Sequence, residues 1–303
     1  MSVTESTSEE ASFTPFDWGL LAGPAFIWGG SFLFLAIGLD AFEPGVVTLL
    51  RVLFGLLALA FLPSARATID PEDRPKLVLL GFTWMAFPLT LFPIAQQWID
   101  SSLAGMLNAA MPLMTALISW LLFAVPTGPR RLMGVSIGMG GILLIGIPEA
   151  TTDGTNALGV GLVVLAVTSY GVAVNITGPL QQKYGSVPVI TRALSAALVF
   201  TLPYGLWGIP ESSFAWDSLI ACVVVGAGGT GLAFVMAATL TGRVGPVRTS
   251  LITYVVPIIS VVLGVVFRDE TVTLLAILGT AVVLFGAWWS SRVEPLGSAG
   301  KPS

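Results

Sequence analysis

Residues 130–148 read RRLMGVSIGMGGILLIGIP, two arginines followed by 17 residues without a charge. A helix needs about 20 apolar residues to cross ~30 Å of hydrocarbon, where lipid offers the backbone no hydrogen-bond partner. Nine more runs of this kind occupy 18–39, 44–62, 77–97, 101–124, 157–178, 187–208, 218–240, 246–267 and 270–290. The expected fold is therefore an all-α integral membrane protein with ten transmembrane helices. The connections are short, and even the longest, 63–76, reads as a loop.

Composition agrees with a lipid-facing surface. Of 303 residues 55% are hydrophobic and 10% charged, with a mean hydropathy of +0.90, whereas a soluble domain carries about 25% charged residues. Cys222 is the single cysteine and there is no histidine, which argues against an internal disulfide and an ordinary Cys/His metal site. The net charge is −4, and the 13 Lys and Arg are scattered, so no basic stripe for nucleic acid is present. Residues 1–16 contain Glu5, Glu9 and Glu10 but no Lys or Arg, unlike the positive start of a cleaved signal peptide, so the first apolar run is expected to persist. No GxxxxGK[ST] phosphate loop and no intramembrane Asp pair or Ser/His pair can be found, so neither enzymatic activity nor a cofactor is expected.

Lys and Arg near the ends of spans are retained on the cytoplasmic side. With the N-terminus inside, Arg66, Arg74, Lys76, Arg130, Arg131, Lys183, Arg243, Arg248, Arg292 and Lys301 all fall on that side, and Arg268 alone falls outside. Arg51 and Arg192 lie within helices. Both termini are thus expected in the cytoplasm, and the protein in a bacterial inner (plasma) membrane.

The chain also repeats. A shift of 145 residues aligns Gly81 with Gly226, Pro112 with Pro257, Gly134 with Gly279 and Gly141 with Gly286; Arg51 pairs with Arg192 at 141, and Gly29 with Gly171 at 142. Two related halves of five spans each must enter the membrane in opposite directions, the inverted-repeat plan of many secondary transporters. The expected organisation is a tail (1–16), a first repeat (17–150), a second repeat (155–291) and a tail (292–303).

Trp28-Gly29-Gly30-Ser31-Phe32, Leu50-Arg51-Val52-Leu53, the two proline-bearing helices and Phe267-Arg268-Asp269-Glu270 ahead of Leu278-Gly279 and Gly286 together resemble the EamA-type branch of the drug/metabolite transporter superfamily. The first half departs from the pattern, since Val125 stands where the repeat would place a second glutamate. The resemblance implies ten helices, a central cavity between the halves, and transport of small solutes such as amino acids.

All 17 acidic residues fall in tails, loops or first turns, so proton coupling through a buried carboxylate is not expected. What remains is a neutral polar lining. Gly105, Asn108, Pro112, Thr115 and Ser119 share one face of the fourth helix, and the repeat places Ser250, Thr253, Pro257, Ser260 and Gly264 on the same face of the ninth. Helix packing explains small residues as well as a cavity does; the Asn108 amide, which needs several partners, favours a cavity. The prolines free carbonyls at Asn108 and Thr253, which would permit kinks. Trp28, Ser31, Gln96, Tyr170 and Asn175 complete the candidate substrate-binding set, with core packing the rival for Trp28 and Tyr170. Arg51 and Arg192 either snorkel to the nearer interface or serve gating, Arg51 with the further option of attracting an anionic group. Asp269 and Glu270 are expected to cap the tenth helix. The glycine-rich fifth and tenth helices would lie peripherally and offer a homodimer contact.

The function expected on these grounds is export of a small metabolite such as an amino acid by alternating access, with the substrate and the lipid bilayer as partners. A channel or lipid-handling protein is the alternative from another class.

Overall fold

The computed structural model describes residues 14–123, 127–152, 154–244, 249 and 252–291. Val125, Arg248, Ser250, Arg292 and Lys301 therefore lie outside the described residues, as do most of the two tails. Every regular element among the described residues is helical. Thr14 opens α1 (Pro15–Leu39) with a capping box in which Thr14 and Asp17 satisfy each other's backbone N–H groups. Next come α2 (Pro44–Ala60) and α3, which runs Arg74–Leu80, Gly81–Ala86 and Phe87–Ala95. The helix α4 is bent, in two pieces Ser101–Asn108 and Met111–Phe123 that meet at 42°. It is followed by α5 (Pro129–Thr152), α6 (Gly154–Tyr184) and α7 (Ser186–Gly208). The last three are α8, running Trp216–Val223, Val224–Leu232 and Ala233–Val244, then α9 (Ile252–Arg268) and α10 (Leu274–Ser291).

Among the described residues, seven helices are long and apolar enough to cross a bilayer, eight when the bent pair counts as one span. Two shorter apolar helices remain, α2 with 17 residues and α9 with 17 described residues; at 1.5 Å per residue α2 rises only about 25 Å. Large apolar side chains such as Phe61, Leu122, Trp207 and Val266 stand exposed on the outside of the bundle. Such a surface belongs in lipid.

Among the described residues, two helices widen locally into π geometry, at Gly81–Ala86 in α3 and Val224–Leu232 in α8. Each widening begins at or near a glycine that lets another backbone approach. A Cβ on Gly81 would lie 2.5 Å from the Ala193 carbonyl oxygen of α7, and one on Gly226 would lie 2.8 Å from the Arg51 carbonyl oxygen of α2. Elsewhere, Gly29 of α1 faces Ile259 of α9, and Gly171 of α6 faces Met114 of α4. The glycines of α5 and α10 face one another: Gly134 against Gly286, and Gly141 against Gly279. These glycines pack inside the chain. Close packing of this kind holds helices together where no hydrophobic effect separates helix from lipid.

The prolines act differently. Pro112 is the second residue of the second arm of the α4 bend, whereas α9 continues as one helix through Pro257. Among the described residues the helix is broken only near the first.

Glu270 corrects another expectation. Its carboxylate accepts from Ser101 N–H (3.0 Å), Ser101 Oγ (2.7 Å) and Ser102 N–H (2.8 Å), so it caps α4 rather than α10. The α10 start is instead capped by Thr273, whose Oγ1 accepts from Ala276 N–H. Two features place Glu270 there. Asp269 turns the chain with φ +52°, a left-handed conformation uncommon outside glycine, and Gly264 leaves the room that a Cβ would take from the Glu270 carboxylate.

Ion pairs fasten both ends of α1. Asp17 pairs with Arg243 at the end of α8, and Asp40 receives both Nη groups of Arg268 at 2.7 and 2.9 Å. A third cluster joins the α2–α3 connection to the end of α6, where Lys183 bridges Asp70 (2.7 Å) and Asp73 (2.8 Å) and Tyr184 donates to Asp73.

Candidate functional site

The π stretch of α8 gathers side chains from α1 and α2. Trp28 Nε1 donates to the Gly229 carbonyl at 2.9 Å, and Arg51 Nε donates to Thr230 Oγ1 at 2.8 Å. Thr230 Oγ1 itself donates to the Val225 carbonyl five residues back, at 3.2 Å, a partner that π geometry brings within reach. Ser31 donates to the Ile27 carbonyl, and a Cβ on Gly229 would lie 2.7 Å from its Oγ. Gly229 thus admits both the Ser31 hydroxyl and the Trp28 indole. Arg51 lies seven residues into the 17-residue α2 and is 4% exposed. It does not snorkel.

Aromatic side chains adjoin this cluster in two chains that start one turn apart on α1. Trp28 meets Phe234 edge to face at 5.2 Å, and Phe234 meets Trp84 of α3 at 4.9 Å. Phe32 meets Phe92 of α3 at 5.5 Å, and Phe92 lies 6.1 Å from Tyr170 of α6. The three contacts other than Phe92–Tyr170 are edge-on, which fixes ring orientation beyond what burial alone would do. Tyr170 lies within electrostatic reach of the Arg51 guanidinium.

The other expected residues make contacts of their own. Ser119 donates to Asn175 Oδ1 at 3.0 Å, and Asn175 Nδ2 donates to the Gly171 carbonyl. Asn175 also lines a 490 Å³ cavity between α3 and α6 with Asp73, Lys76 and Lys183 at its margin. There Lys183 and Tyr184 hold the Asp70 carboxyl below the usual carboxylate range. Thr115 donates to the Met111 carbonyl, and Ser260 to that of Pro257. Ser260 is buried where Gly105 lets α4 and α9 cross, and Thr253 is buried on the same helix. The Gln96 amide, at the end of α3, is enclosed without a hydrogen-bond partner among the described residues. Asn108 sits at the α4 bend, 9% exposed, with no side-chain hydrogen bond among the described residues. Arg192 behaves unlike its repeat mate Arg51, because its Nη groups reach the Ala65 and Ala67 carbonyls of the α2–α3 connection.

Sequence reasoning missed Gly229, Thr230 and Phe234. The run GAGGTG at 226–231 was the available signal. Several glycines in an apolar helix cost helix stability, and a hydroxyl among them is a place where backbone and side chains from other helices can meet.

Residues 18–147 and 157–292 each match the EamA-like transporter family. Similar proteins include the uncharacterized transporter YdfC of Bacillus subtilis, 27% identical with 86% of each chain covered. The uncharacterized inner membrane transporter YedA of Escherichia coli is 27% identical, with 88% of each chain covered. A probable terminal-alkyne amino-acid exporter of Streptantibioticus cattleyicolor is 23% identical over 88% of this chain and 90% of its own. A solved crystal structure superposes with a TM-score of 0.60 over 90% of this chain and 96% of its own, at 18% identity, a likeness of fold alone.

Proposed function

We propose that this chain, which belongs to the EamA-like transporter family, carries a small zwitterionic metabolite such as an amino acid outward across the bacterial inner membrane by alternating access. The observation that carries the proposal is the convergence of Trp28, Ser31 and Arg51 from the first family match on Gly229 and Thr230 of the second. A site shared by two halves is exposed to one side or the other as the halves rock.

In this reading α2 and α9 also cross, so that ten helices form two inverted halves with both termini cytoplasmic. Contacts that exchange under the repeat support it. Gly29 touches Ile259 and Gly171 touches Met114, and the sequence shifts pair Gly29 with Gly171 and Met114 with Ile259. The same operation exchanges the Gly134–Gly286 contact with Gly141–Gly279. A pseudo-twofold axis in the membrane plane accounts for both. The amino-acid class draws on the aromatic walls, on the neutral hydroxyls and amides of the expected lining, and on what the Streptantibioticus cattleyicolor relative is described as exporting.

Counterflow tests this reading. Proteoliposomes loaded with a labelled mixture of amino acids should lose label faster when the same unlabelled mixture is added outside, with a saturable dependence. Efflux that is neither saturable nor accelerated from the other side would replace the carrier with a channel.

A further inference from the structure

Arg51 is a cation near the middle of a short apolar helix, 4% exposed, and no carboxylate pairs with it among the described residues. A guanidinium keeps its charge in proteins and carries five N–H donors. Only Nε is engaged among the described residues, by Thr230. The two Nη groups make no hydrogen bond to a described residue, yet neither is sealed away from accessible space. The planar fork, the part of arginine shaped for two-point recognition of a carboxylate, is therefore left open.

Beside it stands a second unengaged donor. Tyr170 is 7% exposed, within electrostatic reach of the guanidinium, and its hydroxyl is likewise unbonded among the described residues without being enclosed. The Trp28 ring is held by Gly229, the residue next to Thr230. A purely structural Arg51 would direct its fork at backbone carbonyls, as its repeat mate Arg192 does at Ala65 and Ala67. An ionised side chain inside the membrane is costly, and one held there without a protein counter-charge marks a functional position.

We propose that Arg51 is the receptor for the carboxylate of the transported solute, oriented through Nε by Thr230 and binding with its two Nη groups. The substrate class is then a small carboxylate with an apolar body, the body resting against the aromatic chain that starts at Trp28. This inference rests on the carrier reading for the route by which the solute arrives, but binding tests it independently of transport.

The test uses full-length protein in nanodiscs and a mixture of leucine, valine, methionine and phenylalanine, set against the same four as their primary amides. The acids should raise the apparent melting temperature saturably, and the amides should need about tenfold or more higher concentration, the scale of a lost charge-assisted hydrogen bond. Arg51→Gln should bring the acids down to the level of the amides, and Arg51→Lys, which keeps the charge without the fork, should fall between. Should Arg51→Gln fail to fold, the acid-to-amide ratio in the wild type and its reduction in Arg51→Lys and Thr230→Val decide the matter. Equal potency of acids and amides in the wild type overturns the proposal. So does a preference for acids that survives in Arg51→Gln, an equal shift with sodium chloride or phosphate, or no shift at all. Counterflow without acid preference removes the Arg51 assignment alone, whereas acid preference without counterflow removes the carrier and keeps the site.

Discussion

At the scale of single residues, Glu270 shows how one carboxylate can tie separate helices. It follows α9, caps α4, and occupies space that Gly264 vacates. Loss of a capping partner costs about 1 kcal/mol, and loss of its charge at a helix N-terminus up to about as much again. Glu270→Ala is therefore expected to destabilise the protein by about 1–2 kcal/mol, read as a lowered unfolding temperature in nanodiscs. Gly264→Ala should destabilise the wild type, because its methyl would meet the carboxylate, and should cost much less in the Glu270→Ala background. Additive effects would mean that the two residues are not in contact. The sequence marked Glu270 and Asp269 as cap residues, and that much was legible. Which helix they cap was not, since a cap partner 169 residues distant is set by tertiary packing rather than by local spacing. Arg51 and Arg192 were legible as a pair, but their divergence depends on what faces each one: a π-helical threonine for Arg51, loop carbonyls for Arg192.

At the scale of elements, the glycine register was legible and its use was not. Glycines at a shift of 145 announced a repeat, but only the packed structure pairs Gly141 with Gly279 across α5 and α10. A Cβ on Gly141 would lie 2.6 Å from the Val283 nitrogen, whereas one on the adjacent Gly140 would meet nothing within 4 Å. Gly141→Ala should thus force α5 from α10 and destabilise by about 1–3 kcal/mol. Gly140→Ala should be neutral or slightly stabilising, by up to ~1 kcal/mol from helix propensity. Thermal unfolding of both variants checks the pair, and equal effects would contradict the α5–α10 register. The α4 bend was anticipated from Pro112, while α9 shows that a proline by itself does not dictate a break in the helix. The π stretches escaped because nothing in an apolar periodicity separates π from α geometry; the glycine run at 226–231 was the sole local hint.

At the scale of the whole molecule, charge distribution should fix orientation. In a Cys222→Ser background, single cysteines at Asp100 or Ser213 should react with an impermeant thiol reagent applied outside, and cysteines at Arg74 or Arg130 should not. Reversal at any of these positions would place that loop on the other side. Apolar run length located a helix in every expected region, yet α2 at 17 residues falls short of a full span by length. Run length measures apolarity, whereas helix ends are set by caps, prolines and the packing of neighbours.

Alternating access requires that the site between the halves be reached from one side at a time. Ser31→Cys in the Cys222→Ser background places a thiol beside Gly229, and Asp40 and Arg268, which pair at 2.7 Å, offer a place to lock the end expected to face outward. With cysteines at both of those positions joined by a bifunctional maleimide, the rate at which the thiol introduced by Ser31→Cys is labelled is the measurement. An impermeant reagent supplied from the cytoplasmic side should still label that thiol, and the same reagent supplied from outside should not, whereas without the cross-link it should be labelled from either side. Labelling from outside that persists at an unchanged rate after cross-linking would contradict alternating access through this site.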